Sequence, residues 1–127
     1  MKITRFEGLQ AWQQAQVLAN LVYDATDHGN FARDFDLRDQ IRGAAGSVMH
    51  NCAEGFDAGF DNEFVVFLKY ARRSASEIQS QIYLALDRKY VDESAFKQIY
   101  DKATEAKKII NALIAYLRKS NPGKKSA

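Results

Sequence analysis

Two apolar seams constrain this chain more than anything else in it. Phe64, Leu68, Ala71, Ala75, Ile78, Ile82 and Ala85 recur at alternating intervals of four and three. Phe96, Ile99, Ala103, Ala106, Ile110, Leu113 and Leu117 do the same at intervals of three and four. Such spacing keeps every member on one face of a helix, because side chains three and four apart lie one above the other. A strand would need a period of two, so neither stretch can be one. Two long stripes of this kind bury each other when their helices lie side by side and near-antiparallel.

The spacing predicts a helix over about 62–89 capped by Asp61, and another over about 93–119 capped by Asp92. Two more precede them. One runs from about Leu9 to His28 on Ala11, Ala15, Leu18, Val22 and Ala25, and stops at Gly29. The next runs from about Leu37 to Glu54 on Leu37, Ile41, Ala44 and Val48, with Asp36 as its cap and Gly55 as its end. Seven glycines and one proline in 127 residues are too few for a turn-rich sandwich or barrel. The links are short, which makes consecutive helices antiparallel neighbours. The expected fold is all-α, an up-down-up-down four-helix bundle over residues 1–119, followed by a basic flexible tail at 120–127.

The chain carries more apolar surface than one such interior holds. The third helix opens Phe64, Val65, Val66, Phe67, Leu68, apolar nearly all round, and the first adds Val17 and Leu21 outside its stripe. Phe31, Phe35, Phe56 and Phe60 fall in the expected links or helix ends. A surplus of this kind marks an interface. A homo-oligomer is expected, with Phe64, Val65, Phe67, Val17 and Leu21 at the contact; the alternative is that the phenylalanines cap the bundle's ends.

Net charge is only +2, but it is unevenly spread. Up to residue 106 there are twelve basic and sixteen acidic side chains, a net of −4; beyond Glu105 there is no acid and there are six cations. Clustered Lys and Arg neutralise phosphates, although cations at a helix C-terminus also complement its dipole. One cysteine and two histidines provide neither a disulfide framework nor a metal cage. Cys52 reads as a small buried hydrophobe. His50 with Glu54, and Asp24 with His28, are four apart but lack a second ligand pair. No phosphate loop or nucleophile elbow is present, so no enzyme, metal or cofactor is expected. No apolar run resembles a leader or a membrane span, and the expected location is the cytoplasm.

Beside the seams runs a polar line. Gln40, Ser47, Asn51 and Glu54 share heptad spacing on the second helix, as do Ser74, Glu77 and Gln81 on the third. Bonds of Asn51 to Glu77, or of Ser47 to Ser74, would satisfy them as a register-fixing network. A polar pocket facing a ligand is the other reading.

Trp12-Gln13-Gln14-Ala15, the run Gln40-Ile41-Arg42-Gly43-Ala44-Ala45-Gly46-Ser47-Val48, and Asn51-Cys52-Ala53-Glu54-Gly55-Phe56 resemble one family. It comprises the small bacterial four-helix-bundle proteins encoded within intervening sequences of large-subunit rRNA genes. Glu63-Phe64, Phe67-Leu68, Ala71, Ser74, Glu77 and Gln81 fit its third helix. The chain departs from the pattern at Gly43, where a second basic residue is usual, and at Arg73, where glycine is usual. The resemblance implies a homopentamer. The chain is also similar to the accessory proteins of diversity-generating retroelements, which bind a reverse transcriptase and RNA. The leading expectation is a non-enzymatic oligomer that binds structured RNA through Arg42, Arg72, Arg73, Arg118, Lys119, Lys124 and Lys125. The alternative is an adaptor for a protein partner, itself an RNA-binding protein such as a polymerase; a ligand-binding bundle comes third.

Overall fold

The computed structural model describes residues 2–120. Among them are five α-helices and no strand: α1 (Gln10–Thr26), α2 (Gly29–Arg33), α3 (Phe35–Asp57), α4 (Asp61–Asp87) and α5 (Glu93–Ser120), with a 3-10 turn at Phe6–Gly8 before α1. The expected tail lies outside the described residues from 121 onward, and residue 120 itself is still helical.

The α4 seam is fully buried at all seven positions, and Ile99, Ala103, Ala106, Ile110 and Leu117 of α5 are buried too. Phe96 and Leu113 sit at the margin of the same core, which Ile114 joins. α4 packs on α3 and α5, and α1 packs on the same two helices. Pairings give the directions. Gly55 of α3 lies against Phe64 and Phe67 of α4, while Ser47 meets Ser74, so numbering rises along one helix as it falls along the other. Likewise Gln14 of α1 meets Lys102 of α5, whereas Leu9 and Ala11 share a cleft with Ile109 and Leu113.

Several local expectations are corrected. α3 starts two residues earlier than its first seam residue, so the cap is Asp34 and not Asp36: Leu37 N–H donates to Asp34 Oδ1 at 3.1 Å. Tyr90 Oη donates to Asp34 Oδ2 at 2.9 Å, tying the α4–α5 link to the start of α3. Gly55 does not end its helix. It is buried inside α3, where only a hydrogen leaves room for Phe64 and Phe67, and the link glycine is Gly59 at φ +89°. Phe60, not Asp61, stands at the N-cap of α4; Asp61 is the first helical residue and is buried. Asp92 caps α5 as expected, accepting from Ala95 N–H at 2.8 Å. α4 stops at Asp87 because Lys89 turns left-handed (φ 61°); Lys89 N–H donates to the Leu86 carbonyl and Tyr90 N–H to that of Ala85. This double bond pattern is a Schellman stop.

The phenylalanines expected in links divide. Phe31 lies in the unexpected α2 and is wholly buried against Tyr90; Phe56 packs at the core margin on Phe64. Phe35 remains 64% exposed and Phe60 40%. The proposed contact residues are corrected accordingly. Phe64 and Val65 are buried within their own chain and cannot serve a second copy. Val17 is exposed; Leu21 and Phe67 are half-buried.

Candidate nucleic-acid interface

The polar line beside the seam is partly interior and partly surface. Ser74 Oγ donates to Ser47 Oγ at 2.8 Å across α3 and α4, and Asn51 Nδ2 donates to the Ser47 carbonyl at 2.8 Å and to its Oγ at 2.9 Å. Asn51 is thus spent within its own helix and does not reach Glu77, which is exposed, as are Glu54 and Gln40. Gln40 donates to Asp36 on the surface. Gln81 Oε1 is buried with no hydrogen-bond partner among the described residues. Of these side chains Ser47 and Ser74 join two helices, and the set does not converge on a chamber.

The expected cations do not form one patch either. Arg42 is drawn to the end of α1: its Nε donates to Thr26 Oγ1 at 2.7 Å, and its guanidinium sits 4.6 Å from the Tyr23 ring centre. It borders an open groove of about 600 Å³ with Asp39, Gly43, Gly46 and His50. Arg73 lies over Tyr70, at 5.5 Å, on another face of α4 from Arg72. Lys119 is exposed at the end of α5, and Lys124 and Lys125 lie outside the described residues.

Arg72 and Arg118 instead belong to a line along the α4–α5 junction. Arg118 borders a cleft of about 230 Å³ with Lys69, Asp61, Asn62 and Val66. Next, Arg72 donates to Asn111 Oδ1 at 2.7 Å. One turn further, Lys107 Nζ donates to Gln79 Oε1 at 2.7 Å and to Ser76 Oγ at 3.2 Å. On α4 the junction is followed by Val65, Lys69, Arg72, Ser76 and Gln79, a four-three-four-three progression that keeps them on one face. Sequence reading missed Lys69 and Lys107. The signal was available: the junction line lies one position beyond the apolar seam, and its members are polar or cationic at every turn past Val65.

The electrostatics of this line are distinctive. The ion pairs Arg38–Asp39, Lys97–Asp101 and Lys102–Glu105 lie away from Lys69, Arg72, Lys107 and Arg118, and Asp61 borders the cleft of Lys69 and Arg118. Arg72 and Lys107 are held by amide and hydroxyl oxygens, which orient a cation without cancelling its charge. Each keeps unused N–H donors for an anion. Cys52 is the opposite case: it is fully buried, and burial pushes its thiol up to about 12 from an ordinary 9.0. A thiol so placed is no nucleophile near neutrality.

The fold and this line define an all-helical protein with no membrane-crossing helix among its described residues. The chain belongs to the 23S rRNA-intervening sequence protein family, whose model matches residues 7–112. Its structure is similar to the crystal structure of a protein of unknown function from the S23 ribosomal protein family of Bacteroides thetaiotaomicron VPI-5482. The two share 21% identity and a TM-score of 0.75, over 83% of this chain and 95% of the other, which establishes a common fold. No curated protein matches the chain.

Proposed function

We propose that this protein is an up-down-up-down four-helix bundle that binds nucleic acid along the α4–α5 junction and works as a homo-oligomer, in a binding and not a catalytic role. The observation that carries the reading is the row Arg118, Lys69, Arg72, Lys107, four cations along one junction with Asp61 as the carboxylate at its Arg118 end, in which Arg72 and Lys107 are held by neutral acceptors. Phosphate is the abundant anion that a row of fixed cations matches, and oligomerisation repeats a modest row until its weak contacts become avid. The family's link to an rRNA gene makes RNA the first ligand to test. Exposed Val17, Val66, Tyr70 and Leu84, each at least 44% accessible, support contact between copies.

The test is anisotropy of a fluorescent RNA over a series of salt concentrations. With three or four phosphates neutralised, the logarithm of affinity should fall against the logarithm of salt with a slope of roughly −3. Lys69→Glu with Arg72→Glu should abolish most of the binding. Unchanged affinity in that double variant overturns the reading. Sedimentation of the purified chain should give a mass of several copies, and a monomer at micromolar concentration removes the oligomer.

A second reading, an adaptor for a protein partner, rests on Phe35, 64% exposed at the start of α3 beneath the Arg38 guanidinium. Capture of a partner that survives nuclease treatment and is lost with Phe35→Ser would favour it.

A further inference from the structure

The cationic line continues into aromatic side chains. One turn beyond Gln79 on α4, Tyr83 meets Phe96 and Tyr100 of α5, with ring centres 4.9 and 5.6 Å away. Phe96 stacks on Tyr100 at 5.5 Å with 27° between the planes. Tyr83 is 51% exposed, and the other two rings are half-buried. The cluster therefore presents ring surface to solvent and is not sealed in the core. Gln79, itself only 8% exposed, fixes the last cation to the first ring: its Oε1 accepts from Lys107, while its Nε2 donates to the Tyr100 carbonyl at 3.2 Å and to Thr104 Oγ1 at 2.8 Å.

We propose that the α4–α5 junction takes single-stranded nucleic acid, with phosphates on Lys69, Arg72 and Lys107 and unpaired bases on Tyr83, Phe96 and Tyr100. This rests on the nucleic-acid reading above and narrows it. A duplex hides the faces of its bases in its own stack, so exposed rings in line with a cation row favour a strand whose bases are free. From Lys69 to Tyr83 the helix rises about 21 Å, room for a few nucleotides, which is the low end of single-strand site sizes. The excess of cations also ends at the rings. Glu93 and Asp101 border the groove at Phe96 and Tyr100, Asp101 already bonded to Lys97 at 2.6 Å. Lys97 offsets Asp101, so Glu93 is the carboxylate left at this groove to repel phosphate, leaving the rings to uncharged bases while the backbone keeps to the cationic stretch.

The test compares a fluorescent oligouridylate of about twelve nucleotides, within the known range of site sizes, with an RNA duplex of the same length. The wild-type chain should bind the single strand more tightly. Tyr83→Ala, a substitution at an exposed position, should weaken single-strand binding about tenfold, leave the duplex unchanged and leave the salt slope unchanged, and Tyr83→Trp should restore it. Equal binding by wild type and Tyr83→Ala, or a preference for the duplex, overturns the proposal. If Lys69→Glu with Arg72→Glu still weakens binding in that case, the broader nucleic-acid reading stands. If that double variant also binds normally, or the wild type binds neither probe, both fall.

Discussion

Gly55→Ala and Gly43→Ala add the same methyl group to the same helix, and packing gives them opposite signs. A Cβ at Gly55 would lie 2.8 Å from Phe67 Cβ and 2.9 Å from Phe64 Cδ1, with the Phe64 carbonyl at 3.3 Å. Phe64 is fully buried and its ring cannot swing away. Relief must come from moving α3 off α4, and overpacking of that kind costs about 1–3 kcal/mol. Alanine regains up to about 1 kcal/mol as the better helix former, so Gly55→Ala should destabilise by about 1–2 kcal/mol. At Gly43 a Cβ meets nothing within 4 Å. Only the propensity remains, and Gly43→Ala should stabilise by up to about 1 kcal/mol. Urea unfolding followed by far-ultraviolet circular dichroism, at one fixed chain concentration, measures both. A Gly55→Ala chain as stable as the wild type would refute the close α3–α4 approach; destabilisation by Gly43→Ala would refute the open space on that face.

Asp34→Ala removes both the cap on Leu37 and the acceptor of Tyr90, and should cost about 1–2 kcal/mol; Asp36→Ala, which loses a surface bond to Gln40 and a first-turn carboxylate, should cost about 0.5 kcal/mol, and equal losses in urea unfolding would contradict the cap assignment. Tyr90→Phe should cost about 1 kcal/mol alone and almost nothing in the Asp34→Ala background, which a double-mutant cycle measures. Lys89→Gly relieves a left-handed side-chain conformation and should raise stability by about 0.5–1 kcal/mol. Cys52 should resist thiol reagents at pH 8 until the chain is unfolded. Because its folded thiol holds its proton up to about 12 against an ordinary 9.0, its contribution to stability is full below about pH 9 and is lost as pH rises towards 12. A pH-independent midpoint across that window would contradict its burial.

What the residues alone determined is the set of long helices and their buried stripes. Alternation of three and four along 64–85 and 96–117 is a local property of the chain, and the α4 seam is buried at every position it named. Periodicity tells which face turns inward, because a helix has only one way to hide a stripe. It carries no information on which neighbour that face meets or how close the two backbones come. Gly55 therefore looked like a helix end and is a contact point, Phe64 and Val65 looked like surplus surface and are core, and α2 with its buried Phe31 left no periodic trace in five residues. The candidate site shows the same division. Lys69, Arg72, Gln79 and Tyr83 follow one face of α4 by spacing alone, but Lys107, Arg118, Phe96 and Tyr100 join that row only because α5 packs against α4. Charges and rings far apart in sequence become one row when two helices are set side by side, and that juxtaposition is decided by tertiary packing.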